Sequence, residues 1–237
     1  NYSNSKAILV TSIQTIVNGH SYFGMREAGN YPIGSIIIDD VHACMDKIID
    51  QFMIKIDAET DAYKELIALF SSSLKDYNPK NYIDVVEMKD CRNNMLVPYW
   101  EWQRQQDNIY RILTKYNNSD NTSIYFGLPL IERCLETCDC IITASAIEIS
   151  PKGIDLDKIS SLEEASRRIY MSATLADDSV FVSALGLDTE DMKNIITPEN
   201  ANDMGDRLII FPKYVNSDIS EIEIKEKVEE TAKKYNV

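Results

Sequence analysis

The chain lacks any apolar run near the ~18 consecutive residues that a membrane-spanning helix needs, so no such helix is expected in its 237 residues. It also lacks a cysteine framework. Cys44, Cys91, Cys134, Cys138 and Cys140 are odd in number and irregular in spacing, which argues against a disulfide scaffold and for reduced thiols in the cytoplasm. Clustered basic residues are missing too: 24 Lys and Arg face 38 Asp and Glu, the net charge is -14, and no basic run occurs. A surface that neutralises nucleic-acid phosphates normally needs such clusters, so composition argues against a simple nucleic-acid binder. Internal repeats, low-complexity tracts and a nucleophile-elbow pattern are absent. A nucleotide-independent hydrolase built on His20 or His42 therefore has only composition in its favour. What is present, at 44% hydrophobic residues, is material for one large core or two modest ones.

The most informative segment is Ser35-Ile36-Ile37-Ile38, followed at once by Asp39-Asp40-Val41-His42. A short β-rich run ending in adjacent carboxylates is what a buried parallel strand looks like when it delivers charge to the carboxyl edge of a sheet, where α/β proteins bind phosphates. The same letters also describe a strand that ends in a solvated turn. A second apolar strand, Arg167 to Met171, ends in the small hydroxyl residues of Ser172-Ala173-Thr174-Leu175.

As a pair, these segments resemble motifs II and III of the DEAD/DEAH-box helicases of superfamily two. The resemblance implies an α/β fold with a partial RecA-like (P-loop NTPase) parallel sheet. In that family's terms Asp39 holds Mg²⁺ on ATP, and Asp40 is the catalytic base that orients the attacking water. His42 contacts motif III, here Ser172 and Thr174, and so couples nucleotide state to strand grip. The chemistry suits phosphoryl transfer, because a hard cation wants oxygen ligands and a neighbouring carboxylate can place water in line with the transferred group. The implied partners are DNA or RNA and a second motor lobe.

Two departures bear on that reading. The usual second acid is Glu, and Asp40 is one methylene shorter. No Gly-x-x-x-x-Gly-Lys-[Ser/Thr] loop is present either: the spacings Gly19 to Gly24, Gly24 to Gly29 and Gly29 to Gly34 are followed by Met-Arg, Asn-Tyr and Ser-Ile. Without backbone amides and a Lys to cradle the β- and γ-phosphates, Asp39 and Asp40 are half of a site. The expectation is a fragment of a longer helicase or translocase, inactive in ATP hydrolysis by itself and a weak nucleic-acid binder at most. Lys6 to Ser12 reads as a strand ahead of motif II, the place of a Ib-like element, which makes Thr11 and Ser12 candidate nucleic-acid contacts. Near the other end, Ser220-Glu221-Ile222-Glu223 forms a capping box that opens a helix with Lys233 and Lys234 late in it.

Asp39 and Ser172 lie 133 positions apart, too far for one helix and a loop, which predicts an insertion. The expected division is a motor lobe over 1–45 and 139–237 and a mostly helical insertion over 46–138. Its helices are predicted at Asp57 to Lys75, with Tyr63, Leu66, Ile67 and Phe70 on a helical period, at Tyr99 to Tyr116, and at Leu128 to Thr137. In the second, Tyr99, Trp102, Gln106, Ile109, Leu113 and Tyr116 form one stripe. Trp100, Trp102, Arg104 and Arg111 suggest either a platform for stacking single-stranded bases or, the preferred reading, the insertion's core with its Arg residues paired to acids. Asn78, Pro79 and 117–123 mark loops.

Cys134-x-x-x-Cys138-x-Cys140 reads as buried thiols rather than a metal site, which would want a fourth ligand. Beyond it come a strand at Cys140 to Ala144, a helix start at Ser160, the motif-III strand, a helix over 176–186 and a strand over Arg207 to Phe211. A reading from another class keeps the fold but makes the chain a non-enzymatic interaction module, with vestigial motor motifs and a partner protein on the insertion.

Overall fold

Among the described residues, two sheets of opposite character order the chain. The computed structural model describes residues 7–25, 31–172, 196 and 211–235. The chain divides into two units, Asn1–Ile195 and Ile196–Val237. In the first, helix α1 (Ile13–Ile16) precedes strand β1 (Ser35–Ile38), helix α2 (Val41–Gln51), strand β2 (Ile54–Asp57), helix α3 (Asp61–Tyr77) and helix α4 (Pro79–Tyr82). A π-helical turn over Ile83–Glu87 leads to β3 (Asn94–Leu96), α5 (Tyr99–Arg104), α6 (Gln106–Lys115) and α7 (Thr122–Ile131). A 3-10 segment, Glu132–Thr137, then leads to β4 (Asp139–Thr143), β5 (Ala146–Ser150), α8 (Ser160–Glu163) and β6 (Arg167–Tyr170).

β1 and β6 pair in parallel, Ser35 opposite Arg167 and Ile38 opposite Tyr170. The other four strands form an antiparallel sheet in the order β2-β5-β4-β3. Its strands β2 and β3 come from within 46–138 and β4 and β5 from beyond it, so this sheet is built from both sides of residue 138. Alternation at period two explains these strands: Ile54 and Ile56, Cys140 and Ile142, and Ile147 and Ile149 are all buried. α3 covers core with Leu66, Phe70 and Leu74, and α6 does so with Ile109 and Leu113. Trp102, 2% exposed, donates its indole N–H to the Leu135 carbonyl at 2.7 Å, which satisfies its polar end inside the core.

Several expected elements differ. The helix predicted from Asp57 starts at Asp61, because Ile54 to Asp57 alternates as a strand and the Thr60 hydroxyl caps the helix by accepting from the Tyr63 N–H at 3.3 Å. The stripe from Tyr99 to Tyr116 is broken at Gln105, whose φ of -99° and ψ of 9° leave the helical basin. There the buried Glu101 carboxylate accepts from the side chains of Arg104 and Gln105. The third predicted helix starts earlier, at Thr122, and its last residues tighten into 3-10 geometry after Pro129, which has no N–H to give.

Lys6 to Ser12 is not a strand across its described part, residues 7–12. Ile8 and Val10 are almost wholly exposed there, and among the described residues no strand pairs with the segment. β1 is also not buried on both faces: Ile36 and Ile38 point inward, while Ile37 is 63% exposed and opposes Ile169, itself 40% exposed. Among the described residues the parallel sheet has two strands and leaves this face of the pair uncovered.

The expected helix over 176–186 and the strand residues Arg207 to Ile210 lie outside the described residues. The second unit contains helices Pro212–Val215 and Glu221–Tyr235. The capping box is formed as expected: the Ser220 backbone N–H donates to Glu223 Oε2 at 2.9 Å, and the Glu223 N–H donates to Ser220 Oγ at 3.2 Å. Among the described residues no helix is long and apolar enough to cross a membrane.

Candidate functional site

Because β1 and β6 run in parallel, their carboxyl ends emerge side by side, and the ladder continues past both. Met171 N–H donates to the Ile38 carbonyl at 2.9 Å, and Val41 N–H donates to the Met171 carbonyl at 3.0 Å. At the opposite end, Ser166 Oγ donates to the Gly34 carbonyl at 2.7 Å and pins the strand starts. The residues that follow each strand are thereby held in register. They are Asp39 and Asp40 after β1, and Met171 and Ser172 after β6.

The turn from β1 into α2 is tight, and Asp40 absorbs the reversal. Its φ of 46° and ψ of 60° place it in the left-handed region, which Asp tolerates better than most non-glycine residues. Its own N–H is taken up locally by Asp39 Oδ1 at 3.0 Å, and its carbonyl accepts the Cys44 N–H at 3.0 Å as the first turn of α2 closes. Both carboxylates are exposed at the N-terminal end of α2, where the helix dipole favours negative charge.

His42, one residue into α2, is half-buried, and its Nδ1 lies 2.9 Å from Ser172 Oγ. The structure therefore brings together Asp39, Asp40, His42 and Ser172. Thr174 lies outside the described residues. Thr11 and Ser12 are exposed and precede α1, where Ser12 Oγ lies 3.2 Å from Thr15 Oγ1.

Cys44 was not singled out by its sequence, although it stands four residues from Asp40, the spacing that puts two side chains on one helical face. Its thiol donates to the Asp39 carbonyl at 3.4 Å. Burial, then the carboxylates of Asp40 and Asp39, push this thiol above its ordinary pKa. Both carboxylates therefore disfavour its thiolate form.

The donor set suits half of a Mg²⁺·ATP site. Mg²⁺ is commonly held by one or two carboxylates with water and substrate phosphates completing its shell, and Asp39 and Asp40 offer exposed oxygens of that kind. Among the described residues no group of three or more His, Cys, Asp or Glu side chains is arranged to hold an ion by itself. The phosphate cradle has no counterpart in the sequence.

The remaining candidates separate. Cys134 donates to the Ile131 carbonyl and Cys138 to the Cys134 carbonyl at 3.3 and 3.4 Å, and burial pushes Cys138 up to about 12 and Cys140 higher still. These are hydrogen-bonded or buried neutral thiols. Of the two tryptophans weighed as a stacking platform, Trp102 is core and Trp100 is 51% exposed, so they do not act as one surface. Comparison with protein-family models, with curated proteins and with solved structures gives no match.

Proposed function

We propose that the chain carries the nucleotide-facing edge of a RecA-like motor lobe from an ATP-dependent helicase or translocase that works on DNA or RNA in the cytoplasm. One observation supports the reading above the others. The Asp39-Asp40-Val41-His42 segment and the Met171-Ser172 segment leave adjacent parallel strands and are joined by the His42 to Ser172 hydrogen bond.

In this reading Asp39 would hold Mg²⁺ on ATP, the cation supplying charge neutralisation for phosphoryl transfer. Asp40, held in its left-handed turn, would orient the attacking water, with a side chain one methylene shorter than the usual Glu. His42 and Ser172, together with Thr174 by the resemblance alone, would couple nucleotide state from α2 to β6, and so to the strand-binding surface. The phosphate loop and the second lobe have to be supplied by sequence other than these 237 residues.

The test is ATP turnover by a protein that joins this chain to a phosphate loop and a second lobe. Turnover stimulated by nucleic acid is expected, Asp40→Asn is expected to abolish it, and Ser172→Ala is expected to uncouple stimulation from basal turnover. Parental turnover by Asp40→Asn would overturn the role given to Asp40. The reading as a non-enzymatic interaction module draws on a different observation, the exposed aromatic residues around Trp100. It predicts no turnover in the same assay.

A further inference from the structure

A cleft of about 350 Å³ lies where the end of α3, β3 and the start of α5 meet, far in sequence from the motor motifs. Tyr77, Tyr99 and Trp100 line it together with Asp139 and Lys152. Pro98 precedes the first turn of α5, which sends Trp102 inward and leaves Tyr99 and Trp100 outside. All three aromatic residues are more than half exposed. The Trp100 ring meets Tyr77 at 5.5 Å and 77°, and Tyr99 at 5.2 Å and 82°. Near-perpendicular rings in contact stand at an angle to one another, so the cleft is walled by more than one aromatic side chain.

We propose that this cleft binds an alkylated ammonium group, of the kind carried by choline-like molecules or by a methylated lysine side chain. Three features select that chemistry. A cation in a cleft walled by aromatic side chains is attracted by more than one ring quadrupole, whereas a flat base stacks on only one of two perpendicular rings. The cleft contains the Asp139 carboxylate and belongs to a chain of net charge -14, which draws cations and repels phosphate-bearing ligands. Lys152 Nζ already sits 3.9 Å from Asp139 Oδ1 on an exposed side chain, so the carboxylate has an ammonium partner that an incoming cation can displace. The proposal does not rest on the motor reading.

The chain's two tryptophans make the test direct, since Trp102 is buried and reports folding while Trp100 reports the cleft. Choline and Nα-acetyl-trimethyllysine amide are titrated separately against the whole chain, with 3,3-dimethylbutanol as the uncharged isostere of choline. Tryptophan fluorescence and backbone amide shifts are followed. Saturable binding of at least one cation is expected, and which of the two binds tighter identifies the source of the group. The uncharged isostere is expected to bind roughly tenfold more weakly or worse. Trp100→Ala is expected to abolish binding while the emission of Trp102 stays that of a buried indole, and Asp139→Asn is expected to weaken it.

Lys152→Met is expected to tighten cation binding, because it removes the competing ammonium. Equal binding of the isostere, weaker binding by Lys152→Met, or no saturable binding of either cation overturns the proposal. So does occupation of the cleft by an oligothymidine that neither cation displaces.

Discussion

His42 Nδ1 and Ser172 Oγ stand 2.9 Å apart although 130 residues separate them in the chain. The contact sits one step beyond a parallel ladder that fixes both partners, so little conformational freedom is left for it to remove. In a double-mutant cycle of His42→Ala and Ser172→Ala, followed by urea unfolding, a coupling of about 0.5–1.5 kcal/mol is expected. Strictly additive effects would mean that the two side chains do not interact in solution.

Asp40 carries a backbone conformation as well as a carboxylate, and substitutions separate the two. Asn tolerates the left-handed region, so Asp40→Asn is expected to leave the urea midpoint close to that of the parent. Asp40→Ala is expected to lose about 1 kcal/mol through backbone strain, and Asp40→Gly to recover it. If Ala and Gly prove equally stable, the left-handed turn is not held in solution.

Cys44 offers a chemical readout of the two carboxylates without any nucleotide. Its thiol is raised first by burial, then by Asp40 and then by Asp39, so neutralising either acid increases the thiolate fraction. Alkylation by iodoacetamide at mildly alkaline pH is expected to be slow in the parent. It is expected to be faster in Asp39→Asn and faster again in Asp40→Asn. The reverse order would place Asp39 nearer the sulfur.

Cys138 predicts an alkaline loss of stability. Its thiol rises from the ordinary 9.0 to about 12 in the folded chain, chiefly by burial, so above pH 9 the unfolded chain gives up a proton that the folded chain retains. Stability from this group is complete below pH 9 and falls as pH climbs toward 12. Cys138→Ala is expected to flatten that part of the profile of urea midpoint against pH. An unchanged slope in the variant would assign the loss to other groups.

The strand tips were legible in the sequence because they combine two strong local signals, an apolar β-branched run and a cluster of polar residues at its end. Their adjacency carries no local signal, since no pattern within either segment says that Ser35–Ile38 lies beside Arg167–Tyr170. The antiparallel sheet was mostly missed. β2 and β3 are four and three residues long, too short for alternation to outweigh the helical periods around them, and they gain stability only from strands far along the chain. The stripe from Tyr99 to Tyr116 looked continuous because periodicity registers side-chain spacing and does not register the backbone break at Gln105. Trp102, Ile109 and Leu113 of that stripe are buried as expected, while Tyr99 has turned outward.

The hydrogen bond from Val41 N–H to the Met171 carbonyl also has a mechanical meaning. A pull on the chain ahead of β1, opposed by a pull on the chain behind β6, drags the two parallel strands lengthwise past each other. Their rungs are then loaded together in shear and not peeled one at a time. The polypeptide between them, antiparallel sheet and helices alike, hangs as a closed loop off that force path and stays slack until the rungs fail.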